Sequence, residues 1–118
     1  MLAKVEEDPE NSKIHFDLAR ILFHRGEYEE AAKYFERAAD LNENYAEAFY
    51  NAGVSMVKHS LFSRAQRADE CIARAEELSD GNPLYMMMRA CTLYFCNHHE
   101  EASAKFNAFV DTVRKAGS

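Results

Sequence analysis

The chain contains no tryptophan, two prolines and four glycines among its 118 residues. With so few breakers, a loop-rich or low-complexity chain is excluded and long helices are left room to form. Cysteine is sparse as well: Cys71, Cys91 and Cys96 are an odd number, too few for a disulfide framework, so free thiols and a reducing, cytoplasmic setting are expected. Positive charge is in deficit, 14 Lys and Arg against 20 Asp and Glu, for a net charge of −6 and a pI near 5.3. That balance lacks the basic footprint nucleic acid or an anionic membrane requires, so a protein partner with neutral or basic flanks is expected instead. No apolar run approaches the roughly 20 residues of a membrane span, and Met1 to Glu10 is too acidic for a signal peptide. Gly-rich phosphate loops, H-E-x-x-H and G-x-S-x-G are all missing, so neither enzyme chemistry nor a cofactor is expected.

What is present is apolar and charged in helical proportion, 47% hydrophobic and 29% charged residues, enough for one all-α domain. The first eleven residues read as the tail of a preceding helix and a turn, because Pro9 cannot continue a helix. This start suggests either a short native turn or a cut from a longer array. From Ser12, Ile14, Leu18, Ile21 and Leu22 recur at helical spacing, with Phe16 and Phe23 on a second stripe, until Gly26 interrupts. Glu27, Glu29 and Glu30 then suit the start of a second helix carrying Tyr28, Ala31, Ala32, Phe35, Ala38 and Leu41. The alanines permit a close antiparallel hairpin.

Asn44, with Glu47 three residues on, reads as a capping box for a third helix that buries Phe49, Ala52, Gly53 and Met56. Gly53 inside a helix implies that a neighbouring backbone comes close. Ser60 or Ser63 can start the fourth helix, whose stripe is Leu61, Ala65, Ala68, Ile72, Ala75 and Leu78. Asn82-Pro83 is a strong start for the fifth, apolar almost all round. Asn97 and His98 end it, Glu100 and Glu101 open a sixth with Ala102, Phe106, Phe109, Val110 and Val113, and Gly117 closes that one. Ser12 to Ala46 spans 34 residues, Ala46 to Pro83 spans 37, so the middle pair carries about one surplus turn.

These residues resemble the tetratricopeptide repeat, a helix-turn-helix unit of 34 residues with the pattern W-x2-L-G-x2-Y, then A-x3-F, then P. The first unit reads His15-x2-Leu18-Ala19-x2-Leu22, Ala31-x3-Phe35, and Glu43 in place of proline. The second reads Phe49-x2-Ala52-Gly53-x2-Met56, with either Ala65 or Ala68 as its small packing residue. Met86-x2-Arg89-Ala90-x2-Leu93 and Ala102-x3-Phe106 make the third. The resemblance divides the chain into units at 12–44, 45–81 and 82–118, and implies a superhelix of three hairpins whose first helices line a concave, protein-binding groove.

On the register that the resemblance sets, the inward ribbon comprises Phe16, Arg20 and Phe23; Tyr50, Asn51, Val54 and Val57; and Leu84, Met87, Met88, Cys91 and Tyr94. Lys13, His24, Glu47 and Phe95 belong to the same ribbon. Family members that grip a C-terminal carboxylate use Lys, Asn and Arg here, and only Asn51 matches, so an apolar helix or extended segment is the implied ligand. Groove character and repeat number are similar to those of the three-repeat chaperones of type III secretion translocators. A second outcome stays open: the greasy C-terminal stretch is covered by another copy of the chain, as a homo-oligomer, or by more of its own chain. Cys96, His98 and His99 lack a fourth ligand at a zinc spacing and read as a thiol beside turn histidines.

Overall fold

The computed structural model describes residues 11–59, 61–80 and 82–116, without the side chains of 61–64. The expected helix tail over 1–10, a helix start at Ser60 and the stop at Gly117 lie outside the described residues. Six helices follow in order: α1 (Ser12–His24), α2 (Tyr28–Leu41), α3 (Ala46–His59), α4 (Leu61–Leu78), α5 (Pro83–Phe95) and α6 (His99–Ala116). No strand occurs among the described residues.

Local chemistry sets the boundaries. Asn11 Oδ1 accepts from the backbone N–H of Lys13 at 3.1 Å and of Ile14 at 3.3 Å, capping α1. Gly26, at φ 82°, turns the chain out of α1, and the Glu27 N–H reaches back to the Leu22 carbonyl at 2.9 Å. The third hairpin repeats this closure with Asn97 at φ 66° and His98 N–H on the Leu93 carbonyl at 2.9 Å. Asparagine tolerates the left-handed region well enough to stand in for glycine. Asn82 Oδ1 accepts from Leu84 N–H at 2.9 Å with Pro83 in the first turn of α5, as expected. Two starts differ from expectation. α3 begins at Ala46, two residues past Asn44, whose own N–H is held by Asn42 Oδ1 at 3.2 Å. Ser63 falls inside α4, whose extra turn lies at its N-terminal end.

Each helix packs chiefly on its sequence neighbours, which stacks the hairpins α1–α2, α3–α4 and α5–α6 into an all-α superhelical array. Its extents of 46 × 32 × 22 Å reflect that one-directional stacking. Small residues carry the close contacts: Ala19, Ala31, Ala32, Ala38, Ala52 and Ala68 have no exposed surface, and Phe35, Met56 and Ile72 fill the space between them. A Cβ on Gly53 would stand 2.9 Å from the Ala68 carbonyl oxygen and 2.6 Å from Ile72 Cγ1, so α3 and α4 touch backbone to backbone at this point. Ala68 is thereby the small packing residue of the second hairpin, and Ile72 occupies the place of Phe35.

Candidate protein-binding groove

The candidate residues are distributed over the first helices, α1, α3 and α5, and their surroundings differ. Phe16 is a correction: it is buried in the core, edge-on to Phe35 at 5.3 Å and stacked on Tyr45 at 4.8 Å. Tyr45 leads into the next hairpin, so stacking covers a position that a single repeat leaves open. Arg20 is exposed, and Phe23, Tyr50, Asn51, Val54, Val57 and Met88 are half-buried. Leu84, Met87, Cys91 and Tyr94 are exposed.

Aromatic contacts tie each hairpin to the next. Tyr50 lies against Tyr85 with ring centroids 4.6 Å apart. Burial pushes the hydroxyls of both above 10.0, the Cys91 thiolate adding to Tyr50, and the charges of Glu47 and Tyr50 adding to Tyr85. Lys58 Nζ sits 5.9 Å from the Phe23 ring and 5.7 Å from that of Tyr28, a cation over an aromatic pair that joins α3 to the first hairpin.

At the far end, α5 and α6 open a cleft of about 660 Å³. Met87, Cys91, Tyr94 and Phe95 form one wall; Ala102, Ser103, Phe106 and Asn107 form the other. Phe106 is 51% exposed, although it holds the position at which Phe35 is 1% exposed. Sequence reasoning placed Phe106 on a packed stripe and did not anticipate Ser103 or Asn107. In the first two hairpins the corresponding Phe35 and Ile72 are covered where the next hairpin stacks on them.

Behind the cleft the seam between the second and third hairpins is polar. Arg89, standing where the repeat pattern has leucine, donates from Nε to Asp69 Oδ1 at 2.6 Å, and Thr92 Oγ1 donates to the same oxygen at 2.7 Å. Lys105 pairs with Glu76 at 2.5 Å. Cys96 beside this seam has its thiol pushed up by burial and by the Asp69 charge. Among the described residues no group of three metal-ligating side chains converges, and no helix is long and apolar enough to cross a membrane.

Fold and surface define a helical-repeat scaffold for protein–protein interaction. Residues 12–45 match the tetratricopeptide repeat model, and the helix pairs that follow repeat its fold. Photosystem I assembly protein Ycf3 from Acaryochloris marina is 34% identical over 77 residues, 64% of this chain and 45% of that protein. A MamA crystal structure superposes with a TM-score of 0.84 at 19% identity, covering 96% of this chain and 64% of its own. YrrB, described as a tetratricopeptide-repeat protein with an unusual peptide-binding site, gives 0.77 at 21% identity, over 93% of this chain and 55% of its own. The chain thus spans less than two thirds of each, and the two structures establish the fold alone.

Proposed function

We propose that the chain is a binding scaffold with units at 12–44, 45–81 and 82–118, holding an apolar helix or extended segment of a partner along α1, α3 and α5. The observation that carries this reading is the apolar cleft in which Met87, Cys91 and Tyr94 face Phe106. Methionine and aromatic side chains give adaptable apolar contact, and a net charge of −6 favours neutral or basic flanks on the ligand. A carboxylate clamp has too few donors, since Asn51 stands without the usual lysines. A relative named for assembling a photosystem is in keeping with a module that holds partners and performs no chemistry.

One groove of this size is expected to bind a single segment at about micromolar strength, because ordering the ligand offsets much of the burial. The test is a calorimetric titration of an apolar peptide selected by display on the parent, repeated on Met87→Ala and Val54→Ala. About tenfold weaker binding by each, with unchanged helicity, is expected. Unchanged affinity in both variants overturns the groove.

A further inference from the structure

We propose that the groove carries a subsite for a basic side chain, an arginine of the partner segment, between Glu47 of α3 and the tyrosines Tyr45, Tyr50 and Tyr85. This inference rests on the groove reading and names the residue that sets the register of the bound segment. Two aromatic contacts bring the phenols to the junctions between hairpins: Tyr45 stacks on Phe16 at 4.8 Å, and Tyr50 lies against Tyr85 at 4.6 Å. Tyr85 is 6% exposed, yet its hydroxyl makes no hydrogen bond among the described residues, and those of Tyr45 and Tyr50 make none either. A polar group so far withdrawn from water and left without a protein partner marks a place for a ligand atom. Glu47 is exposed on the first turn of α3 and forms no ion pair among the described residues.

The charges around this spot favour a cation. Burial raises the hydroxyl pKa of Tyr45, and the charges of Glu47 and Asp17 raise it further against the smaller opposing charge of Arg20. Glu47 acts in the same sense on Tyr85, again after burial. Lys13 takes up Asp17 at 3.7 Å, which leaves the Glu47 carboxylate for a ligand. A planar guanidinium donates to a carboxylate from one edge while its face lies on an aromatic ring, an arrangement that the compact ammonium of lysine matches less well. An acidic side chain would meet Glu47 and be repelled. The same helix sets the spacing to the apolar cleft, because Cys91 and Tyr94 lie six and nine residues beyond Tyr85 on α5, about 9–14 Å along its axis. An extended segment crosses that gap in about three or four residues. The arginine therefore stands that far from the apolar side chains that Met87, Cys91 and Tyr94 receive.

The probe is the apolar peptide selected by display on the parent, which is expected to carry an arginine at that spacing. Replacing this arginine by citrulline, neutral and of nearly the same shape, should weaken binding to the parent about fivefold to tenfold. The same replacement should change little against Glu47→Gln, an exposed position where circular dichroism checks that the variant is folded. Glu47→Arg, titrated with a peptide carrying glutamate for its arginine, should recover affinity that either change alone removes. Selected peptides without a basic residue, or a citrulline penalty equal on the parent and on Glu47→Gln, overturn the proposal. Met87→Ala and Val54→Ala keep the two readings apart. Weaker binding by both, with no coupling to Glu47, removes the subsite and leaves the groove, whereas a selection that returns no binder overturns both.

Discussion

The rings of Tyr50 and Tyr85 lie 4.6 Å apart at 31°, linking α3 to α5 through one half-buried and one buried phenol. Their hydroxyls ionise above 10.0 because burial disfavours the tyrosinate. A pKa higher in the folded chain than in the unfolded one contributes stability that is complete below the unfolded value and lost as pH rises through the folded value. The melting temperature is therefore expected to fall as pH climbs above 10.0, with Tyr50→Phe, which keeps the ring, flattening the fall. Thermal melts across that range, beside an ultraviolet titration of the phenols, check it.

Gly53→Ala adds a methyl where the Ala68 carbonyl oxygen stands 2.9 Å away and Ile72 Cγ1 stands 2.6 Å away. Backbone cannot step aside as a flexible side chain can, so a loss of about 1–3 kcal/mol is expected. Urea denaturation measures it as a lower midpoint at unchanged slope.

Phe16 and Met87 occupy equivalent positions with opposite surroundings, 5% and 38% exposed. Truncating Phe16 to alanine is expected to cost about 3–5 kcal/mol by opening a core cavity, whereas Met87→Ala should cost less than about 1 kcal/mol. Parallel denaturation curves compare the two directly, and equal losses would contradict the assignment of Met87 to the surface.

Asp69→Ala removes the acceptor shared by Arg89 at 2.6 Å and Thr92 at 2.7 Å. Thr92 retains the Arg89 carbonyl at 3.0 Å, so the loss falls mainly on the half-buried guanidinium, about 1–3 kcal/mol. Asp69→Asn keeps an acceptor and should lose less. Chemical denaturation of both variants distinguishes a charge effect from a packing one.

Much of the array was legible from spacing because the close-packed positions are alanines. Ala31, Ala52 and Ala90 mark where helices meet, and a small residue flanked by large ones at period 3.6 has few other meanings. Gly26 and Asn82-Pro83 mark two boundaries for equally local reasons. Phe16 was misread because its burial is supplied by Tyr45, a residue of the next hairpin that single-repeat reasoning does not place. The Asp69, Arg89 and Thr92 cluster escaped for a similar reason: nothing in the order of the chain announces that an arginine in a leucine position will find its carboxylate 20 residues earlier on another helix. Ala65 and Ala68 were equivalent by pattern, and only the contact with Gly53 separates them.

The polar seam has a consequence for how the array comes apart. Hairpins one and two share the Phe16–Tyr45 stack and the exposed Arg67–Glu36 pair, whereas between the second and third the Tyr50–Tyr85 contact is accompanied by the Arg89–Asp69 and Lys105–Glu76 pairs, charged groups that water can also satisfy. In a linear stack each unit is secured only by its neighbours, so the C-terminal unit is expected to peel away first, and amide protons of α5 and α6 to exchange sooner than those of α2 and α3. A guest seated between α5 and α6 would then act as a splint for the loosest part of the molecule, and its arrival would be read as slowed exchange there before any change in shape.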